Sequence, residues 1–289
     1  MALAVISLSF DPVLRLSDTA SVTFETIALG VVVFIGLAVA ARIGSQVPTI
    51  VPYVPAPGLR VDDLVFIVVG AVPGAIVGGR LGAVLDHIDY YAANPGAIVD
   101  PAQGGLTLSL AVPLGILTGG LIARLLGAPV GRWLHAAALP VLFVLAAGKL
   151  VSILGGTGQG APSDLPWATA YDGPGPWGSL APAIPSHPSQ AYEAILVTLA
   201  IFGLGAASRL EVVARLDGAA IFVALGLWAV ARFVVAFTWR DPGVLGPLRA
   251  DQVLSIVVLA VAVVGLVERW RAPLHSPIEP RPEVDARPA

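Results

Sequence analysis

Residues 187–193 read His187-Pro188-Ser189-Gln190-Ala191-Tyr192-Glu193, so a short stretch holds an imidazole, a hydroxyl, an amide, a phenol and a carboxylate. An apolar run follows at once. Pro188 suits a helix start, where its missing N–H is not needed. Gln190 and Glu193, three residues apart, share a helix face. On spacing alone the string reads either as a helix cap with interfacial anchors or as the polar rim of an active site. As a rim, it makes His187 the first choice for proton acceptor, because an ordinary imidazole titrates at about 6.5 and much of it is neutral at pH 7. An ordinary glutamate titrates at about 4.3, so Glu193, or Glu25 at the start of an earlier apolar stretch, is a weaker base unless burial raises it.

Three cations, Arg80, Lys149 and Arg232, fall within or at the ends of apolar stretches, and Lys149 is the only lysine in the chain. A cation at mid-membrane costs roughly 2.5–3.5 kcal/mol, less near the end of a span where it can snorkel. They are either three independent snorkelling side chains or one cationic pocket facing the outer leaflet and suited to a phosphate headgroup. Gly70, Gly74, Gly78 and Gly82 recur every fourth residue, a ridge that another helix can approach closely. The ridge brackets Arg80, which packing alone does not require.

The elements that must position these groups are set by composition. Apolar residues make up 56% of the 289-residue chain and charged residues 12%, with a formal net charge of −3 and a mean hydropathy of +0.86. A soluble domain carries about twice that charged fraction. Disorder, a collagen-like chain and a basic nucleic-acid binder are excluded by the same figures. The absence of cysteine removes disulfides, thiolate metal sites and a cysteine nucleophile, and no cofactor or metal is expected. A hydrocarbon core about 30 Å thick needs roughly 20 apolar residues per helix. Stretches of this kind lie near Thr26–Ala41, Leu64–Leu85, Leu106–Leu126, Leu134–Leu154, Ala191–Ala207, Ala219–Phe237 and Ala250–Val267. The expected fold is therefore all-α: a polytopic membrane protein with seven transmembrane helices and a small external cap loop.

The first stretch reads as a retained helix, since Asp11, Asp18 and Glu25 precede it against only Arg15, where a signal peptide carries net positive charge. With the amino terminus outside, the outer segments hold only Arg15, Arg240 and Arg249, and the inner loops and tail hold most of the remaining arginines. That bias places the carboxyl terminus in the cytoplasm. The long outer segment Gly155–His187 carries Trp167, Tyr171 and Trp177, either as headgroup-level aromatics or as a cap over a site. The expected organisation is a seven-helix domain over residues 1–270, with 155–187 as the cap loop, and a Pro-rich disordered tail over 271–289.

The 187–193 string resembles the His-Pro-Ser-Gln-x-Tyr-Glu signature of the prolipoprotein diacylglyceryl transferase family. Phe10-Asp11-Pro12-Val13 is similar to the family's amino-terminal motif, Gly78-Gly79-Arg80-Leu81-Gly82 to its second-helix motif, and Gly104-Gly105-Leu106 to the Gly-Gly-Met/Leu run before its third helix. Ala231-Arg232-Phe233 resembles the surroundings of the sixth-helix arginine. Asp251-Gln252-Val253-Leu254-Ser255 resembles the Gly-Gln-x-Leu-Ser run of the seventh. The resemblance runs from Phe10 to about Val267.

It implies transfer of a diacylglyceryl group from phosphatidylglycerol to the lipobox cysteine of a prolipoprotein, releasing glycerol phosphate, in the bacterial inner membrane. The partners implied are phosphatidylglycerol, the lipobox peptide and membrane lipids, and no nucleic acid. Arg80, Lys149 and Arg232, with Gln190 and Ser189, then bind phosphatidylglycerol, because the departing phosphate needs stabilising cations. His187, Glu193 and Glu25 are the catalytic candidates. The nucleophile belongs to the substrate, so a chain without cysteine is no contradiction.

The sequence also departs from the family's pattern. Ser109 stands at the family's histidine, Lys149 at an arginine, Ser152 and Gly155 at asparagines, Thr157 and Ala236 at glutamates, and Glu25 at a tyrosine. A descendant that binds phospholipid or a lipoprotein without catalysis is the alternative reading. An unrelated transporter is the third, and the absence of acids deep within the spans weighs against it.

Overall fold

The computed structural model describes residues 5–17, 20–48, 50–51, 54–55, 58–100 and 105–272. Asp18, Gly104 and most of the expected tail lie outside the described residues. Among these residues seven helices are long and apolar enough to cross a membrane. They are α1 (Phe24–Gln46), α2 (Val61–Asp86), α3 (Leu108–Leu125), α4 (Val130–Val151), α5 (Ser189–Ala207), α6 (Ala219–Val235) and α7 (Ala250–Arg271). Each coincides with one of the seven apolar stretches. The protein is a multi-pass membrane protein.

Local chemistry sets the helix starts. Thr23 caps α1, its hydroxyl accepting from the Thr26 N–H at 3.1 Å. Pro188 stands just before the first residue of α5. Gly218 opens α6 at φ 100°, a left-handed conformation that L side chains rarely adopt, with the Gly131 backbone against it. Large apolar side chains such as Phe34, Leu117 and Phe202 point outward, as they do where the solvent is lipid. The inward faces are small: α6, the most buried span, sits among Ala138, Ala146, Ala200, Val258 and Ala262.

The glycine ridge of α2 lies against α3. A Cβ on Gly78 would run into the Leu110 carbonyl, and one on Gly74 into the Leu114 carbonyl and Thr118. Backbone faces backbone there, so neither side can yield. Gly78→Ala is expected to lower stability by about 1–3 kcal/mol, read as earlier thermal unfolding of the detergent-solubilised protein. Gly205→Ala on α5, where a Cβ meets nothing within 4 Å, is the matched control and should leave the transition unchanged or raise it.

Helices α2 and α3 pack along their lengths, as do α1 and α4, whereas α1 and α2 meet only at a few points. Between the two pairs lies a cleft of about 490 Å³. Its walls are apolar or glycine throughout, from Gly36, Ala40, Ala71 and Ala75 to Gly115, Pro140, Val144 and Leu145.

At one end of the bundle the connecting segments form a cover that the all-α expectation does not anticipate in detail. Ile6–Leu8 pairs in parallel with Thr169–Tyr171, Val13–Arg15 with Ser21–Thr23, and Gly243–Leu245 with Leu248–Arg249. Arg240 ties the cover together, donating to the Gly160 carbonyl at 2.6 Å and to Ser186 Oγ at 2.8 Å. Arg249 donates to the carbonyls of Asp241, Ala236 and Trp239. Of the aromatics in segment 155–187, Trp167 is exposed, while Tyr171 is buried and packs on Trp177, which in turn meets Phe10.

Candidate functional site

Beneath this cover, four helices each direct one charged side chain to a common point. Glu193, five residues into α5, lies between two cations: Lys149 Nζ of α4 is 2.9 Å from Oε2, and Arg232 Nη1 of α6 is 3.0 Å from Oε1. Asp251, second residue of α7, accepts from Arg232 Nη2 at 2.9 Å. Ser109 of α3 completes the set: its hydroxyl accepts from Arg232 Nε at 2.9 Å and donates to Asp251 Oδ1. Within this directly paired set two cations balance two anions. That neutrality is what such burial demands, because breaking a buried ion pair leaves an uncompensated charge.

The two cations differ in access. Arg232 is 5% exposed at its side chain and Lys149 18%. All three Arg232 nitrogens are engaged by protein, and its guanidinium lies 4.6 Å from the Trp239 ring centroid and 5.8 Å from that of Trp228. Lys149 lies 6.0 Å from the Trp239 ring and carries three donors on its ammonium. It is the open cation of the pair. Along α4 it follows Val141 and Leu145 at four-residue intervals, and both of those line the apolar cleft. A charged group thus stands at the end of the helix face that forms the cleft wall.

Glu25 joins from the first turn of α1. Its Oε2 accepts from Thr157 Oγ1 at 3.0 Å, and its carboxylate lies in the field of Lys149. A Cβ on Gly155 would collide with that carboxylate, so the glycine makes the space that Glu25 fills. Gln190, on the same α5 face as Glu193, donates from Nε2 to the Tyr171 hydroxyl at 3.2 Å. Burial pushes the Tyr171 phenol up to about 12, with the nearby negative charge of Glu25 adding to the effect. It therefore stays neutral throughout the physiological range.

The structure thus brings together Lys149, Arg232, Glu193, Glu25 and, through Tyr171, Gln190. The other sequence-expected residues have local partners of their own. Arg80 donates to the carbonyls of Ile98 (2.7 Å), Ala97 and Asp100 (2.9 Å) and lies over the Tyr91 ring, holding the segment that follows α2. Ser189 hydrogen-bonds Thr238 Oγ1 at 2.6 Å, joining α5 to the end of α6. The His187 ring stands 3.5 Å from the Tyr192 hydroxyl, which accepts from Trp167 Nε1 at 2.7 Å. That trio lies on the outer side of the α5 start. From sequence, Asp251 has no role beyond its place in a family-like motif, and Tyr171 none beyond that of a cap or headgroup-level aromatic. The signal for Asp251 was present, since it is an acid opening an apolar span directly beside Gln252.

The molecule is a seven-span bundle with an ionic cluster that begins one helical turn beyond Leu145 in the wall of the apolar cleft. The chain belongs to the prolipoprotein diacylglyceryl transferase family, which it matches over residues 20–268. Among its relatives, a protein from Geobacter sulfurreducens is 32% identical over 222 residues, covering 73% of this chain and 80% of the relative. One from Rhodospirillum rubrum is 33% identical over 226 residues, covering 75% and 78%. One from Nitratidesulfovibrio vulgaris is 30% identical over 243 residues, covering 75% and 80%. All three are named phosphatidylglycerol–prolipoprotein diacylglyceryl transferase.

Proposed function

We propose that this protein transfers the diacylglyceryl group of phosphatidylglycerol to the lipobox cysteine of a bacterial prolipoprotein. The observation that carries the reading is the Lys149–Glu193 pair one helical turn beyond Leu145, which lines the apolar cleft, in a chain of this family. A lipid with an anionic head and apolar tails fits that arrangement. The cover and amino terminus face outward from the inner membrane and the carboxyl terminus faces the cytoplasm, in keeping with the arginine distribution.

The reaction needs three things from the chain. The cysteine sulfur attacks the glycerol carbon that bears the phosphate. An S–C bond forms there, the C–O bond to phosphate breaks, and glycerol phosphate leaves with the electron pair. Lys149 meets the phosphate whose negative charge grows as that bond breaks. A thiol with an ordinary pKa of about 8.5 must lose its proton, and Glu25 is the acceptor that the geometry favours. It is a half-buried carboxylate in the field of Lys149, whereas Glu193 is held by two cations and His187 is turned toward Tyr192 and Trp167. The neutral Tyr171 and Gln190 form the polar side of the same space.

The test is complementation of a strain depleted of its own transferase, together with transfer from phosphatidylglycerol to a lipobox peptide by the purified protein. Growth and peptide lipidation are expected, and failure of a well-expressed, monodisperse protein in both would refute the function. Within an active protein, Glu25→Gln should lower kcat by roughly 10²–10⁴-fold, the usual worth of a general base, and His187→Gln should stay within a few fold. The reverse pattern would return the role to His187.

A further inference from the structure

Arg232 is the more enclosed of the two cations, and each of its three guanidinium nitrogens already has a protein partner. Glu193, Asp251 and Ser109 take its three nitrogens, and the Trp239 and Trp228 rings lie near the guanidinium. Three of its five N–H groups are taken, and a phosphate would have to reach the remaining two past the Trp239 and Trp228 rings, at a side chain only 5% exposed. Lys149 asks for no such passage, being more open and able to keep Glu193 while offering other N–H groups. Glu193 in turn owes its orientation to both cations. The hydroxyl of Ser109 works in both directions, accepting from Arg232 and donating to Asp251, so that Arg232 and Asp251 are joined directly and through one bridge.

We propose that Asp251 and Ser109 are positioning residues that hold Arg232 against Glu193, and that Lys149 alone meets the lipid phosphate. This inference rests on the transferase reading. Asp251 sets the direction of the guanidinium and cancels its charge. Arg232, so fixed, holds one oxygen of Glu193, and Glu193 holds the ammonium of Lys149 at the end of the cleft. The chain of contacts runs Asp251–Arg232–Glu193–Lys149, with Ser109 bracing its first link.

Steady-state kinetics of the purified full-length protein, with phosphatidylglycerol and a lipobox peptide, separate this arrangement from a merely structural one. Asp251→Asn leaves Lys149 and Arg232 sharing the single charge of Glu193, and Arg232 without its anchor. KM for phosphatidylglycerol should then fall by about threefold or more while kcat falls by about tenfold, since a freed cation binds the ground state without serving the transition state. A loss of folding alone lowers the active fraction and leaves KM where it was. The double variant Arg232→Gln/Asp251→Asn keeps the cluster neutral. Its KM should stay within about threefold of the parent with kcat reduced, whereas a rise of about tenfold or more would make Arg232 a phosphate ligand and overturn the proposal.

An unchanged or raised KM in Asp251→Asn would overturn it as well. Should either variant fail to accumulate in membranes, Ser109→Ala carries the same test: kcat lowered severalfold at unchanged KM supports the bracing role, and a raised KM or unchanged kcat refutes it. If the parent itself transfers nothing, the functional reading fails separately. The Kd for short-chain phosphatidylglycerol then replaces KM in the same comparisons.

Discussion

Glu193→Gln is expected to be the most damaging single substitution at the site. The amide keeps the shape of the side chain but removes the one negative charge that Lys149 and Arg232 share at 2.9 and 3.0 Å. Two like charges are then left together in a buried setting, with Asp251 to answer for only one of them. Breaking a buried pair by removing one partner typically costs about 3–5 kcal/mol. Low yield, a lowered unfolding temperature in detergent and loss of transfer should therefore appear together. A variant that keeps parental stability would show that water or lipid headgroups already screen the cluster, and would remove the basis for treating it as a neutral unit.

Lys149→Met should separate chemistry from stability. The methionine replaces a long straight side chain by another that packs well against the adjoining apolar wall. It removes only the more exposed of the two cations, leaving Glu193 with Arg232. The expected loss in kcat/KM is about 10²–10³-fold, the scale seen when one donor to a developing negative charge is deleted, with an unfolding temperature lowered less than in Glu193→Gln because Arg232 still pairs with Glu193. Lys149→Arg keeps the charge and should recover most of that loss. Retention of parental activity by Lys149→Met would show that the phosphate is met by another group.

These expectations draw on parts of the molecule that differ in how far the sequence revealed them. The seven spans were plain because the bilayer imposes a length and an apolarity that few other structures satisfy. Lys149, Arg232 and Glu193 stood out for a related reason, since a charge in or beside a span needs a partner. The 187–193 string was read as a unit, and helical geometry divides it. Gln190 and Glu193 turn toward the cluster, while His187 associates with Tyr192 and Ser189 with Thr238. Arg80 was grouped with the other cations by its depth in the membrane, and depth does not reveal the backbone carbonyls of Ala97, Ile98 and Asp100 that it also binds.

Asp251 went unassigned because an acid in the first turn of a helix is ordinary, being favoured there by the backbone dipole. Its partnership with Ser109 and Arg232 depends on three helices distant in the chain. The departures from the family's motifs were similarly read one position at a time, as losses. In space they meet: Glu25 fills the room left at Gly155 and accepts from Thr157, and Ser109 bonds Asp251.

The order of the four buried charges has a consequence for how the chain enters the membrane. Read from the amino terminus they are Lys149 on α4, Glu193 on α5, Arg232 on α6 and Asp251 on α7, so their signs alternate. A ribosome delivers helices to the insertion machinery in that same order. Once α5 arrives, the charge on α4 is cancelled by its successor, and once α7 arrives, the charge on α6 is cancelled in turn. Of these four charges, the growing protein therefore leaves no more than one unbalanced at a time. The sequence of synthesis itself shields the assembly from the penalty that an isolated ion in hydrocarbon would exact.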